Sequence, residues 1–273
     1  MAKDGSLWWD KSWSPVAGCE KVSPGCKNCW AVKMAKRLKA MGQEKYKYVV
    51  GENGWTGFDF YAQEEPPNFG KKPKVVFVCS MSDIYYQGVH DWMIQNVYGY
   101  MGRNPRHTFI ICTKRPERIV PMLYGANYLG AGDSLANVWH LASVENQEWA
   151  DKRIPELLRL NEWGDWKLGL SLEPLLGKIN IKEFLTNSTL SAVGTSQVII
   201  GAESGPKRRE CKIEWVRDIV EQCEAACVPC FVKQIHIDGK VSKNPDGWLE
   251  DILAARELAW TKTKHSLAGR KDK

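Results

Sequence analysis

From residue 75 onward, short apolar runs recur about every 30 residues, the length of a strand–helix unit. The runs are KVVFVCSM, HTFIICTK, VWHLASVE, WKLGLSLEP, SQVIIGAES and CVPCFVKQ. Their nearly continuous apolar character is that of parallel strands buried on both faces. Between them, Asp91–Met101, Gln147–Leu160 and Ile213–Ala226 have the spacing of amphipathic helices. Upstream, SWSPVAGC predicts a first strand and CWAVKMAKRLKAM the helix after it. Alternating strands and helices with right-handed crossovers build an open doubly wound sheet or a barrel. No dinucleotide-type glycine fingerprint follows the first strand and no GxxxxGK[ST] appears, which disfavours the open nucleotide-binding versions. The expectation is an α/β fold, a single-domain partial or complete (β/α) TIM-type barrel over residues 1–254. Residues 42–72 break the rhythm, being too polar and turn-rich for a helix, and read as an insertion near the barrel mouth with a small hairpin. Residues 255–273 read as a basic tail, with Arg256, Lys262, Lys264, Arg270, Lys271 and Lys273 against two acids.

Every predicted strand runs into polar residues. KVVFVCSM leads to Ser80, Ser82 and Asp83; HTFIIC to Thr113, Lys114 and Arg115; VWHLA to Ser143, Glu145 and Asn146. WKLGL leads to Ser171 and Glu173, SQVIIGA to Glu203 and Ser204, and CVPCFV to Lys233 and Gln234. Ordinary strand ends carry Gly, Asn, Asp and Ser for turns. A mixture of Glu, Lys, Arg and Gln instead fits a lined pocket at the C-terminal face of a barrel.

The 273 residues are 44% hydrophobic and 26% charged, enough apolar material for a large soluble core. No apolar run approaches the length of a membrane span and the N-terminus lacks an apolar signal core, so no membrane partner and a cytoplasmic, thiol-reducing location are expected. The net charge of +6 mildly favours an anionic partner such as nucleic acid. Nine cysteines in a reducing compartment point to metal or cluster ligands, with the remainder buried. Cys19, Cys26 and Cys29 form a C-x6-C-x2-C triplet on a loop made pliable by Gly18, Pro24 and Gly25, with Trp30 placed to shield it. Three thiolates hold three irons of a [4Fe–4S] cluster and leave one open, or hold zinc with a distant fourth ligand. A second triplet, Cys223, Cys227 and Cys230, falls on a helix end and inside a strand. It reads as buried thiols with accidental spacing, and Cys79 and Cys112 as core residues.

The ordered set WSPVAGCEKVSPGCKNCWA, VFVCSMSDIY, TKRPER, SVENQEWADKRIPEL, LSLEPLLG, IIGAESGP and CVPCFVKQ resembles a phage-associated three-cysteine-motif family that looks like divergent radical S-adenosylmethionine enzymes. The resemblance implies a [4Fe–4S] cluster on Cys19, Cys26 and Cys29, with S-adenosylmethionine as cofactor. It implies cofactor contacts from Ser80, Ser82, Asp83, Ser143, Glu145 and Asn146. Glu173, Glu203 and Lys233 are then candidates for catalysis, and Lys114, Arg115 and Gln234 for substrate contact. The implied reaction is isomerisation of an amino-acid-modified thymine (5-hydroxymethyluracil-derived) in phage DNA. An electron donor such as flavodoxin or ferredoxin would serve it in the cytoplasm of the host cell. The competing expectations are a zinc-stabilised nucleic-acid-binding or interaction protein without catalysis, and a radical enzyme acting on a protein, RNA or small molecule.

Overall fold

Eight strands form one sheet whose spatial order follows the chain. The computed structural model describes residues 8–57, 60–61, 66–125, 128–186 and 196–260. The strands are β1 (Lys11–Trp13), β2 (Val75–Val78), β3 (Thr108–Thr113), β4 (Val138–Ser143), β5 (Lys167–Leu172), β6 (Ser196–Gly201), β7 (Cys230–Ile237) and β8 (Lys240–Ser242). Neighbours from β1 to β7 are parallel, and β8 returns antiparallel beside β7. All six residues of β4, and all six of β6, are buried, as the continuous apolar runs require.

The helices are α1 (Trp30–Ala40), α2 (Asp91–Arg103), α3 (Gln147–Leu158), α4 (Lys182–Thr186), α5 (Ile213–Ala225) and α6 (Glu250–Ala254). Because the strand order never reverses, successive right-handed crossovers fall on the same face of the sheet. Ile94 and Val97 of α2, Ile154 and Leu157 of α3 and Val216 and Ile219 of α5 accordingly share one core with Val76, Ile111 and Val198. The alternate strand positions point the other way. Val75, Ile110, Trp139, Ile199 and Phe231 form a second cluster, which Trp8 and Trp260 cover from the two ends of the described chain.

Several boundaries differ from the sequence expectation. α2 runs two residues further, to Arg103, and α3 tightens after Leu158 into a 3₁₀ turn, Arg159–Glu162. The insertion contains the expected hairpin, Val50–Gly51 against Gly54–Trp55, and its Phe60–Tyr61 pairs with Val16–Ala17. Residues 58–59 and 62–65 of that stretch lie outside the described residues, as do residues 261–273 of the expected tail. Residues 255–260 of that tail are built into the fold: Val232 N–H donates to Ala255 O (2.9 Å) and Ala259 N–H to Gln197 Oε1 (2.7 Å). Of the second triplet, Cys223 and Cys230 are buried as expected. Cys227 is exposed, because it takes the left-handed turn (φ 55°) that joins α5 to β7. No helix among the described residues is long and apolar enough to cross a membrane.

Candidate functional site

Gly18, at φ 105°, starts the loop that leads to α1, a backbone conformation glycine adopts without a steric penalty. Pro24–Cys26 forms a 3₁₀ turn, closed by Cys26 N–H to Ser23 O (2.9 Å) and Lys27 N–H to Pro24 O (3.1 Å). Cys29 is the residue before the first turn of α1. The three cysteines thus stand at the start, middle and end of one loop, and all three line a cavity of about 470 Å³. Strand ends supply much of the polar lining: Ser80, Ser82 and Asp83 after β2, Lys114 and Arg115 after β3, Ser143 of β4, Glu173 after β5, Glu203 after β6, and Lys233 and Gln234 of β7. Cys79 and Cys112, expected in the core, line it too, as does the half-exposed Trp30.

Glu145 and Asn146 lie apart from this cavity. Asn146 is the N-cap of α3, its side chain accepting from Trp149 N–H (3.1 Å). Glu145 is fully buried behind the cysteine loop, where it accepts from Gly25 N–H (3.1 Å) and pairs with Arg153 (2.9 Å). A Cβ on Gly25 would meet the Glu145 carboxyl carbon at 3.0 Å, so this contact uses the missing side chain.

Much of the strand-end charge holds the loop. Arg115 donates to Glu20 O (3.1 Å) and pairs with Asp83 (3.3 Å), whose other oxygen accepts from Thr113 (2.8 Å). Ser82 donates to Val16 O (2.7 Å). Glu203 accepts from Asn28 (3.0 Å) and pairs with Arg209, which also donates to Pro24 O (2.9 Å). Burial opposes the Glu203 charge, but the hydrogen bonds from Arg209 and Asn28 outweigh it and hold the carboxyl below the usual range. Burial likewise opposes the Arg115 charge, and Asp83 raises it above its ordinary value. Gln234 is committed to Ala202 O.

The remaining polar groups form a chain across the cavity. Lys114 Nζ donates to Ser143 Oγ (2.7 Å), Ser143 Oγ to Glu173 O (3.4 Å), and Lys233 pairs with Glu173 Oε1 (2.8 Å). Any Cβ at Gly201 would collide with the Glu173 carboxylate, so glycine there makes room for the acid.

Burial, reinforced by the Asp83 charge and partly offset by Arg115, pushes the Cys19 thiol up to about 12. Burial pushes Cys79 and Cys112 up to about 11. Such thiols ionise only where a cation replaces their protons, which a bound metal does. No group of three or more His, Cys, Asp or Glu among the described residues is arranged around a single ion. In a [4Fe–4S] cluster each thiolate binds a different iron, so its ligands are not gathered around one ion. The loop's three cysteines are free, and all three line the cavity.

Asn28, Arg153 and Arg209 were not among the residues singled out from the sequence. The basic run PKRRE after β6 was the available signal for Arg209; nothing in the sequence links Arg153 to a loop 120 residues upstream of Glu145. No curated protein and no solved structure matches the chain. A family model described as a protein of unknown function matches residues 5–270, and the chain belongs to that family, DUF5131.

Proposed function

We propose that this chain is a radical S-adenosylmethionine enzyme on a curled sheet that forms a partial β/α barrel. The observation that carries the reading is the meeting of Cys19, Cys26 and Cys29 with strand-end polar groups in one cavity. That cavity touches ends from β2 to β7, which a flat sheet would spread over about 24 Å. Curling of the sheet supplies the convergence.

In this reading Cys19, Cys26 and Cys29 would hold a [4Fe–4S] cluster, whose open iron would take S-adenosylmethionine. When bound and reduced by an external one-electron donor, the pair would supply reductive cleavage of the sulfonium and a hydrogen-abstracting radical. The chain's own contribution is positional. Glu145 and Glu203 fix the loop from two sides, through Gly25 and Asn28. Asp83 and Arg115 fix its start beside Cys19. The Glu173–Lys233 pair is the partly exposed acid–base couple facing the cavity, and it is the group available to bind or orient a zwitterionic substrate. Phe77 and Trp55 add apolar surface to the cavity wall.

The proposed substrate is an amino-acid-bearing pyrimidine of DNA. The cavity volume is far too small for a duplex, so such a base would have to leave its helix to reach the site. Anaerobic reconstitution followed by reduction with S-adenosylmethionine tests the assignment. The expected result is a brown protein with about four irons that releases 5′-deoxyadenosine, and loses both properties in C19A, C26A and C29A. A colourless protein holding one zinc would favour the non-catalytic binding protein. Cluster and product surviving in the cysteine variants would overturn the assignment.

A further inference from the structure

A second cavity, of about 400 Å³, lies behind the cysteine loop and shares Glu20, Lys114 and Arg115 with the first. Two of its lining residues, Trp149 and Arg153, come from successive turns of α3. Arg153 is only 2% exposed, and its Nη1 is fully used, donating to Ser143 O (2.7 Å) and Glu145 Oε2 (2.9 Å). The other edge of the same planar group, Nε–H and Nη2–H, has no acceptor although it is buried. Trp149 Nε1–H, also buried, has none either. Buried donors without acceptors are rare, because each costs the desolvation of a polar group with nothing in return.

We propose that this cavity is a binding site for a phosphate group. The Nε–Nη2 edge is the side-on fork with which arginine takes two oxygens of an oxyanion. The Trp149 ring lies under the same guanidinium, 4.1 Å from Cζ to the ring centroid, so its N–H sits in a separate layer. A planar carboxylate answers the fork alone; a tetrahedral oxyanion offers a third oxygen to the second layer. The charges are arranged to match. Arg115 and Arg153 are buried, whereas Glu20 and Glu117 are exposed, and Glu156 is already paired with Arg159 (2.9 Å). Cations therefore form the floor and carboxylates the rim, which suits a small phosphate or a terminal phosphoryl group entering end-on. The inference does not depend on the proposed enzymatic activity, since no cysteine takes part in it.

Calorimetric titration of the full chain with inorganic phosphate, at constant ionic strength, tests the site. The expected result is saturable binding of about one equivalent, weakened about tenfold in Trp149→Phe, which keeps the stacked ring and removes one charge-assisted hydrogen bond. Arg153→Lys should abolish binding; because Arg153 also pairs with Glu145 and that variant can unfold, Trp149→Phe is the deciding one, with its melting temperature near wild type. A nucleoside monophosphate binding more tightly than phosphate assigns the site to a phosphorylated organic ligand, and equal binding assigns it to the free ion. The proposal is overturned by absence of saturable binding, by unchanged affinity in Trp149→Phe, or by acetate competing as well as phosphate.

Discussion

His140 shows how a single residue can sit against its own chemistry. It lies on β4 among core side chains, with its Nε2 2.5 Å from Tyr98 Oη and its Nδ1 without a partner. Burial pulls its pKa down from 6.5 to about 3. Between those values the unfolded chain binds the proton and the folded chain does not, so stability falls as pH drops from 6.5 toward 3. The slope contributed by this one group approaches 1.4 kcal/mol per pH unit. His140→Gln keeps an acceptor for Tyr98 and removes the titration. It should be less stable than wild type at pH 7 and lose less on acidification, as urea unfolding at a series of pH values would show. The residue-scale chemistry was only half legible in the sequence. Polar strand ends announced themselves by type, and most do line one cavity. Their partners did not, because Gly25–Glu145 and Asn28–Glu203 join positions 120 and 175 residues apart, and only chain closure brings those together.

At the scale of elements, the six strands from β2 to β7 were legible because burial on both faces writes an unbroken apolar run. The β7–β8 hairpin was not read, although its signal was there: Asp238-Gly239 is the pair favoured in tight hairpin turns, and both residues take positive φ. α3 carries the sharpest reassignment. The strand end before it was expected to touch cofactor through Asn146, whose side chain caps the helix. Asn146→Ala should therefore lower stability by about 1 kcal/mol, while Asn146→Ser restores most of it. A cofactor contact predicts the opposite ordering of effects: near-normal melting, and weakened S-adenosylmethionine binding that Ser does not repair. Thermal melts alongside ligand titration of both variants separate the two roles.

For the molecule as a whole, sequence reading put the basic end of the chain outside the domain, and its charge explains why. The lysines and arginines from Arg256 onward masked the apolar residues among them. Leu258, Ala259 and Trp260 pack against the face of the sheet opposite to α2, α3 and α5, beside Trp8. Trp260 Nε1–H donates to Trp8 O (3.2 Å), and its ring stands 5.3 Å from Trp139 and 5.6 Å from Trp8. This face of the sheet thus depends on segments about 250 residues apart, which local periodicity cannot connect. It also lies directly below the cavity wall, since Phe77 both packs in this cluster and lines the cavity. Loss of Trp260 should then reach further than its own contacts. Trp260→Ala is expected to cost about 3–5 kcal/mol. Trp8→Ala should cost a similar amount, with the double variant losing less than the sum because the rings share contacts. Additive losses in denaturant unfolding would show that the Trp8 and Trp260 segments cover the sheet independently.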